Sequence, residues 1–164
     1  MDPDDTPSKM PAPPRDGCII TRASLDDLPD LMDIERTCFQ QDQFSEALYL
    51  SFLLRPDSEV YIYRSPAGTI GSLVLLFQAE RDRCQVVSVA VHPGSQRTGL
   101  GRELMQFAET RAHQRDCAQI QLEVRKTNAT ARRLYERLKY RESKTLRDYY
   151  GDGLDGILYI KKLT

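Results

Sequence analysis

Residues 89–102 constrain the fold more than any other stretch: Val89-Ala90-Val91-His92-Pro93-Gly94-Ser95-Gln96-Arg97-Thr98-Gly99-Leu100-Gly101-Arg102. A β-rich run enters a loop of small residues, and the loop opens a helix. Leu100, Leu104, Phe107, Ala108 and Ala112 give that helix one apolar stripe, to about Arg115. A strand handed directly to an amphipathic helix is the working unit of an α/β domain. A helix N-terminus exposes unpaired N–H groups and partial positive charge, which suits it to an anion. Gly99 and Gly101 lack a Cβ and let such a group reach the backbone, and Arg97 and Arg102 add charge beside it.

Several readings of this loop compete. A nucleotide-binding P-loop needs G-x-x-x-x-G-K-[ST]; Gly94 and Gly99 have the spacing, but Leu100 and Gly101 replace Lys and Ser/Thr. A dinucleotide fingerprint needs a third glycine where Leu104 stands, and would follow the first strand of the domain. A pyrophosphate site of another α/β cofactor fold remains, beside a helix start that merely needs glycine.

The flanking sequence supplies the other elements. Cys18-Ile-Ile-Thr-Arg reads as a first strand. Ser24 and Ser45 read as N-caps, the first ahead of Leu28, Leu31 and Ile34, the second ahead of Leu48, Phe52 and Leu53, with a stop before Pro56. Residues 59–64 and 69–78 read as strands joined by a Ser65-Pro66-Ala67-Gly68 turn. In a strand over 84–91, Val87, Val89 and Val91 alternate with Ser88 and Ala90, which predicts that the three valines share a face. Ile120, Leu122 and Val124 alternate with Gln121 and Glu123, which places Glu123 on the opposite face. Asn128 caps a helix carrying Ala131, Leu134, Tyr135 and Leu138, and residues 140–146 and 156–162 close the sheet. The expected order is β-α-α-β-β-β-α-β-α-β-β, an α/β domain with a mixed sheet.

Residues 1–16 hold five of the nine prolines and read as a disordered leader; 17–164 reads as one domain. The leader is acidic rather than basic and apolar, unlike a secretion signal, and no apolar run approaches the ~18 residues of a membrane span. A cytoplasmic protein without a membrane partner is expected. Cys18, Cys38, Cys84 and Cys117 form no C-x-x-C pair, and His92 and His113 lack metal-ligand company, so reduced thiols and no metal are expected. The net charge of −1 argues against a nucleic-acid partner. It conceals an asymmetry: residues 1–60 hold 5 basic and 13 acidic side chains, whereas 125–147 hold 9 basic and 2 acidic. Two solvated faces, or two surfaces for oppositely charged partners, account for that equally well.

Two phrases carry a family resemblance. Gln96-Arg97-Thr98-Gly99-Leu100-Gly101 matches the [QR]-x-x-G-x-[GA] signature of the GNAT N-acetyltransferase superfamily. Asn128-Ala129-Thr130-Ala131-Arg132-Arg133-Leu134-Tyr135-Glu136-Arg137-Leu138 resembles its N-x-x-A-x-x-L-Y-x-x-[LG] segment. The likeness runs from about Ile20 onward. It is similar in particular to bacterial ribosomal-protein alanine acetyltransferases, through Leu122-Glu123-Val124-Arg125 and the Asp148-Tyr149-Tyr150 loop. The resemblance implies a largely antiparallel sheet with flanking helices and a V-shaped cleft between the two central strands. It implies acetyl-CoA as cosubstrate, its pantetheine arm paired with the backbone of Val89, Ala90 and Val91. The pyrophosphate would lie on Arg97, Thr98, Gly99, Leu100, Gly101 and Arg102, and Asn128 would reach the arm; as a plain N-cap, Asn128 is explained equally well. By the same resemblance Glu123 is the general base, directly or through a water, and Tyr135 the general acid.

The acceptor site of the superfamily is built from the first two helices and the loop between the last two strands, here about residues 35–52 and 149–154. The alanine acetyltransferases carry a Phe-Pro-Trp-Ser-like phrase there; this chain has Phe39-Gln40-Gln41-Asp42-Gln43-Phe44-Ser45. A protein or peptide N-terminal amine is the expected acceptor. The alternatives are a small amine such as a polyamine, an amino acid or an aminoglycoside, or a module that binds acyl-CoA without turnover. The expected assembly is a monomer or a homodimer.

Overall fold

The computed structural model describes residues 17–163; the expected leader lies outside them. Strand β1 (Ile19–Arg22) leads through a 3-10 turn into α1 (Leu28–Cys38) and α2 (Glu46–Leu54). Then come β2 (Ser58–Ser65), β3 (Gly68–Gln78), β4 (Arg83–Val91), α3 (Leu100–Gln114), β5 (Gln119–Arg125), α4 (Ala129–Arg137), β6 (Arg141–Leu146) and β7 (Gly156–Lys162). This is the element order expected from the sequence.

Local chemistry sets the boundaries. Ser45 Oγ accepts from Leu48 N–H at 3.1 Å and starts α2, and Asn128 Oδ1 accepts from Ala131 N–H at 3.2 Å and starts α4. At Ser24 the expected helix start is shifted. The Asp27 carboxylate accepts from Ser24 N–H at 2.8 Å, and the chain makes its 3-10 turn before α1 begins at Leu28. Pro29 suits the first turn of α1, where its missing N–H costs nothing.

The seven strands form one sheet in the order β1-β2-β3-β4-β5-β7-β6, antiparallel except for β4 beside β5. α1 and α2 cover one face over Leu31, Tyr49, Phe52, Val60, Ile62 and Val74. α3 and α4 cover the other over Leu73, Leu75, Leu104, Met105, Ile120, Leu122 and Tyr135.

Two irregularities place the site. The β4–β5 pairing covers only Arg83, Gln85 and the residue between them, opposite Gln119–Gln121, so the remainder of β4 loses its neighbour on that edge. On its other edge β4 bulges: Val74 pairs with Ser88 and Leu75 with Val86, leaving Val87 without a partner. The extra residue reverses the side-chain alternation. Cys84 and Val86 before it, and Val89 and Val91 after it, all meet the α3 face, whereas Val87 packs on the α1–α2 face. The expectation that Val87, Val89 and Val91 share a face is therefore corrected, because a period of two does not survive an inserted residue.

Candidate active site

Where β4 and β5 part, a cleft of about 440 Å³ opens. β4 supplies Gln85 through Val89, β5 supplies Glu123 and Arg125, and α4 with its cap supplies Asn128, Ala131 and Tyr135. Glu35, Phe39, Gln41, Asp42 and Phe44 close it from α1 and the following loop, and Tyr149 and Tyr150 from the β6–β7 loop.

Glu123 and Tyr135 stand on walls of this one cavity. Gln85 Nε2 donates to Glu123 at 2.9 Å and 3.3 Å, which orients the carboxylate from the neighbouring strand. Tyr135 is buried, 7% exposed, and its hydroxyl bonds no described residue. Burial pushes its pKa up to about 12, so at neutral pH it is a proton donor. Tyr149 and Tyr150 are raised as well, first by burial, with the negative charge of Glu123 adding to it.

The expected cofactor residues fall into two groups. Val89 and Asn128 line the cleft; Ala90, Val91, Arg97, Thr98, Gly99, Leu100, Gly101 and Arg102 lie outside its lining. The Val91 carbonyl already accepts from Cys38 Sγ at 3.2 Å and from Gln96 Nε2 at 3.3 Å. Beyond Val91 the chain turns at Arg97 (φ +64°) and Gly99 (φ +85°) and enters α3. Among the described residues none accepts from the main-chain N–H groups of residues 97–102, and Arg97 and Arg102 form no ion pair. A Cβ at Gly101 would stand 3.3 Å from Leu134 and 3.8 Å from Val91, so this amide cradle sits between the end of β4 and α4. Unpaired amides beside two free cations fit a pyrophosphate.

Two groups escaped the sequence reading. Glu35 lies on the buried stripe of α1 with Leu31 and Ile34. Its carboxylate accepts from Phe44 N–H and the Tyr49 hydroxyl, each at 3.0 Å, and pins the α1–α2 loop. Burial raises its pKa, against those two hydrogen bonds. An acid on an apolar helical stripe was the available signal. The second is an ion pair from Arg125 to Asp42, with the Arg125 guanidinium 4.7 Å from the Tyr150 ring centroid. Among the described residues no group of His, Cys, Asp and Glu gathers as a metal site, the four cysteines are free, and no helix is long and apolar enough to cross a membrane.

A family model for acetyltransferases (GNAT) matches residues 28–140. An uncharacterized N-acetyltransferase of Methanocaldococcus jannaschii is 33% identical over 145 residues, 88% of this chain and 91% of that one. An N-alpha-acetyltransferase of Sulfurisphaera tokodaii is 31% identical over 150 residues, 85% and 89% of the two chains. The crystal structure of the ribosomal-protein-S18-alanine N-acetyltransferase from Escherichia coli superposes with a TM-score of 0.81 at 26% identity, covering 90% of this chain and 94% of that one.

Proposed function

The chain belongs to the acetyltransferase (GNAT) family, whose N-acetyltransferases depend on acetyl-CoA, and we propose that its acceptor is the N-terminal amine of a protein or peptide. The observation that carries this reading is the shared cleft: an oriented carboxylate, Glu123, and a protonated phenol, Tyr135, face one cavity at the fork of β4 and β5. The named activities of the Sulfurisphaera and Escherichia proteins, both directed at N-termini, support the choice of amine.

Acetyl-CoA, when bound, supplies an activated thioester. The free amides of residues 97–102, with Arg97 and Arg102, would hold its pyrophosphate, and the open edge of β4 at Val89, Ala90 and Val91 its arm. At Val91 only the groups not already engaged by Cys38 and Gln96 are available. Glu123 takes a proton from the acceptor ammonium, directly or through a water, and makes the amine a nucleophile. Tyr135 gives its proton to the departing sulfur, and Asn128 keeps the mouth of α4 in place through its cap. A cytoplasmic location agrees with this chemistry.

A second reading has one observation in its favour. Glu35, Asp42 and Glu123 oppose a single Arg125 in the cleft lining, and three acids attract a small cationic amine. The discriminating experiment incubates the protein with acetyl-CoA and a panel of N-terminal peptides, lysine peptides, polyamines, amino acids and aminoglycosides. Mass shifts are read against Tyr135→Phe. Acetylation of free peptide N-termini supports the first reading; acetylation confined to small amines supports the second. Acetyl-CoA binding without transfer to any of them sinks both.

A further inference from the structure

Resting on the reading of a peptide acceptor, we infer that Arg125 selects the acceptor by the charge of its second side chain, and that Asp42 is the internal counter-ion an acidic acceptor displaces.

The geometry begins on β5. Glu123 and Arg125 are two residues apart on one strand, so both side chains leave the same face, about 7 Å apart along it. Both line the cleft. An extended peptide advances about 3.4 Å per residue. With its terminal amine at Glu123 and its chain running along β5, its second residue spans about 3.4–6.8 Å from that amine, and the length of its side chain covers the rest of the way to Arg125.

Arg125 is built to stay there. Its backbone is fixed by the β5–β7 register, where it faces Gly156, and its guanidinium lies against the Tyr150 ring at 4.7 Å. Its side chain is 25% exposed, and its one ionic partner among the described residues is Asp42. Asp42 is the looser member: 48% exposed, in the α1–α2 loop, at a backbone φ of +56°. Because the rigid partner is the cation and the loop supplies the anion, the pair opens by moving Asp42. A carboxylate on the acceptor then takes the place of Asp42 on the guanidinium, whereas a Lys side chain meets a repelling guanidinium. The contact also belongs to this chain's own loop phrase, Gln40-Gln41-Asp42-Gln43.

The test uses peptides that differ only at the second residue, Glu against Gln against Lys, with the wild type, Asp42→Asn, Arg125→Met and the double variant. Asp42→Asn frees Arg125 and is expected to raise kcat/KM for the Glu peptide about fivefold relative to the Gln peptide, through KM. In the Arg125→Met background that preference disappears. Melting temperature and acetyl-CoA affinity are measured for every variant, and Arg125→Gln replaces Arg125→Met if the latter does not fold. An equal shift from Asp42→Asn in both backgrounds means general electrostatics and overturns the inference. So does an unchanged preference in Asp42→Asn. A wild type that acetylates small amines and no peptide removes the peptide reading itself, a distinct result visible before any variant is made.

Discussion

Gln85 and Glu123 are hydrogen-bonded across β4 and β5 at the last point where the two strands still pair. Gln85 lies opposite Gln121 in the parallel register, and its amide reaches forward to the carboxylate two residues on. The fork that opens the cleft thus also aims the Glu123 carboxylate, the base of the proposed mechanism. Gln85 lines the same cleft and donates both its side-chain bonds to Glu123, and we assign it a positioning role exerted through that carboxylate.

Replacing Gln85 with Leu is expected to lower kcat about ten- to a hundredfold, because an unanchored carboxylate samples unproductive rotamers. The acetyl-CoA dissociation constant should stay within about twofold, since the anion cradle lies at the other end of β4. A Leu variant with wild-type kcat removes the positioning role.

The proposed mechanism predicts different pH signatures for Glu123 and Tyr135. Glu123→Gln should reduce kcat/KM by about 10²–10⁴, the usual worth of a general base. Tyr135→Phe should reduce it by a similar factor at every pH from 6 to about 10. Because burial holds the Tyr135 phenol protonated to about pH 12, it cannot produce a descending limb below that value. A wild-type profile that falls between pH 8 and 10, with the fall absent in Tyr135→Phe, contradicts this assignment.

How much of this was legible in the sequence depends on the range over which each feature is determined. The caps Ser45 and Asn128, the α3 stripe and the glycine loop are local, and each was readable from a window of a few residues. The Val87 bulge was not, since the insertion is defined against β3, and a single strand read alone still alternates. Ser24 announced a helix that begins later, because a 3-10 turn satisfies the same cap chemistry. Glu123 and Tyr135 were named by motif, and their meeting in one cleft required the fold. Asp42 and Arg125 are 83 residues apart, joined by a loop with no period, and nothing local links them.

Gly101 tests the cradle at the start of α3. Its absent Cβ leaves 3.3 Å to Leu134 Cδ2, so alanine presses lightly on the flexible end of that side chain while gaining helix propensity. Gly101→Ala should change stability by no more than about 1 kcal/mol. Gly101→Val forces α4 outward and should cost about 1–3 kcal/mol and weaken acetyl-CoA binding. Thermal unfolding and calorimetric titration read both. Equal effects of Ala and Val would show that the close approach of α3 and α4 does not matter there.

A buried acid outside the cleft lining, Glu59, should contribute to the acid stability of the fold. Glu59 on β2 is 1% exposed and accepts from Arg111 at 2.7 Å and 2.9 Å, from Arg115 at 3.1 Å and from the Tyr61 hydroxyl at 2.6 Å. Burial alone would raise its pKa, but the bonds from Arg111 and Tyr61 and the charges of Arg111 and Arg22 outweigh it and hold the carboxyl below its ordinary value. A lowered folded-state pKa stabilises the fold above the ordinary carboxylate range, and that contribution is lost as pH falls through the lowered value. Arg111→Met leaves the buried carboxylate to Arg115, Arg22 and Tyr61, removes its two shortest guanidinium bonds, and should cost about 2–3 kcal/mol at pH 7, with the acid transition moved to higher pH. Glu59→Gln leaves only arginines that already reach solvent, 27% and 39% exposed, and should cost about 1–2 kcal/mol. Its deficit against the wild type should narrow as pH falls, because the wild type loses what the variant already lacks. Urea unfolding at pH 7 and at pH 3–4 measures each. A Glu59→Gln deficit that widens in acid, or one exceeding that of Arg111→Met, would show that the carboxylate is not held charged by its arginines.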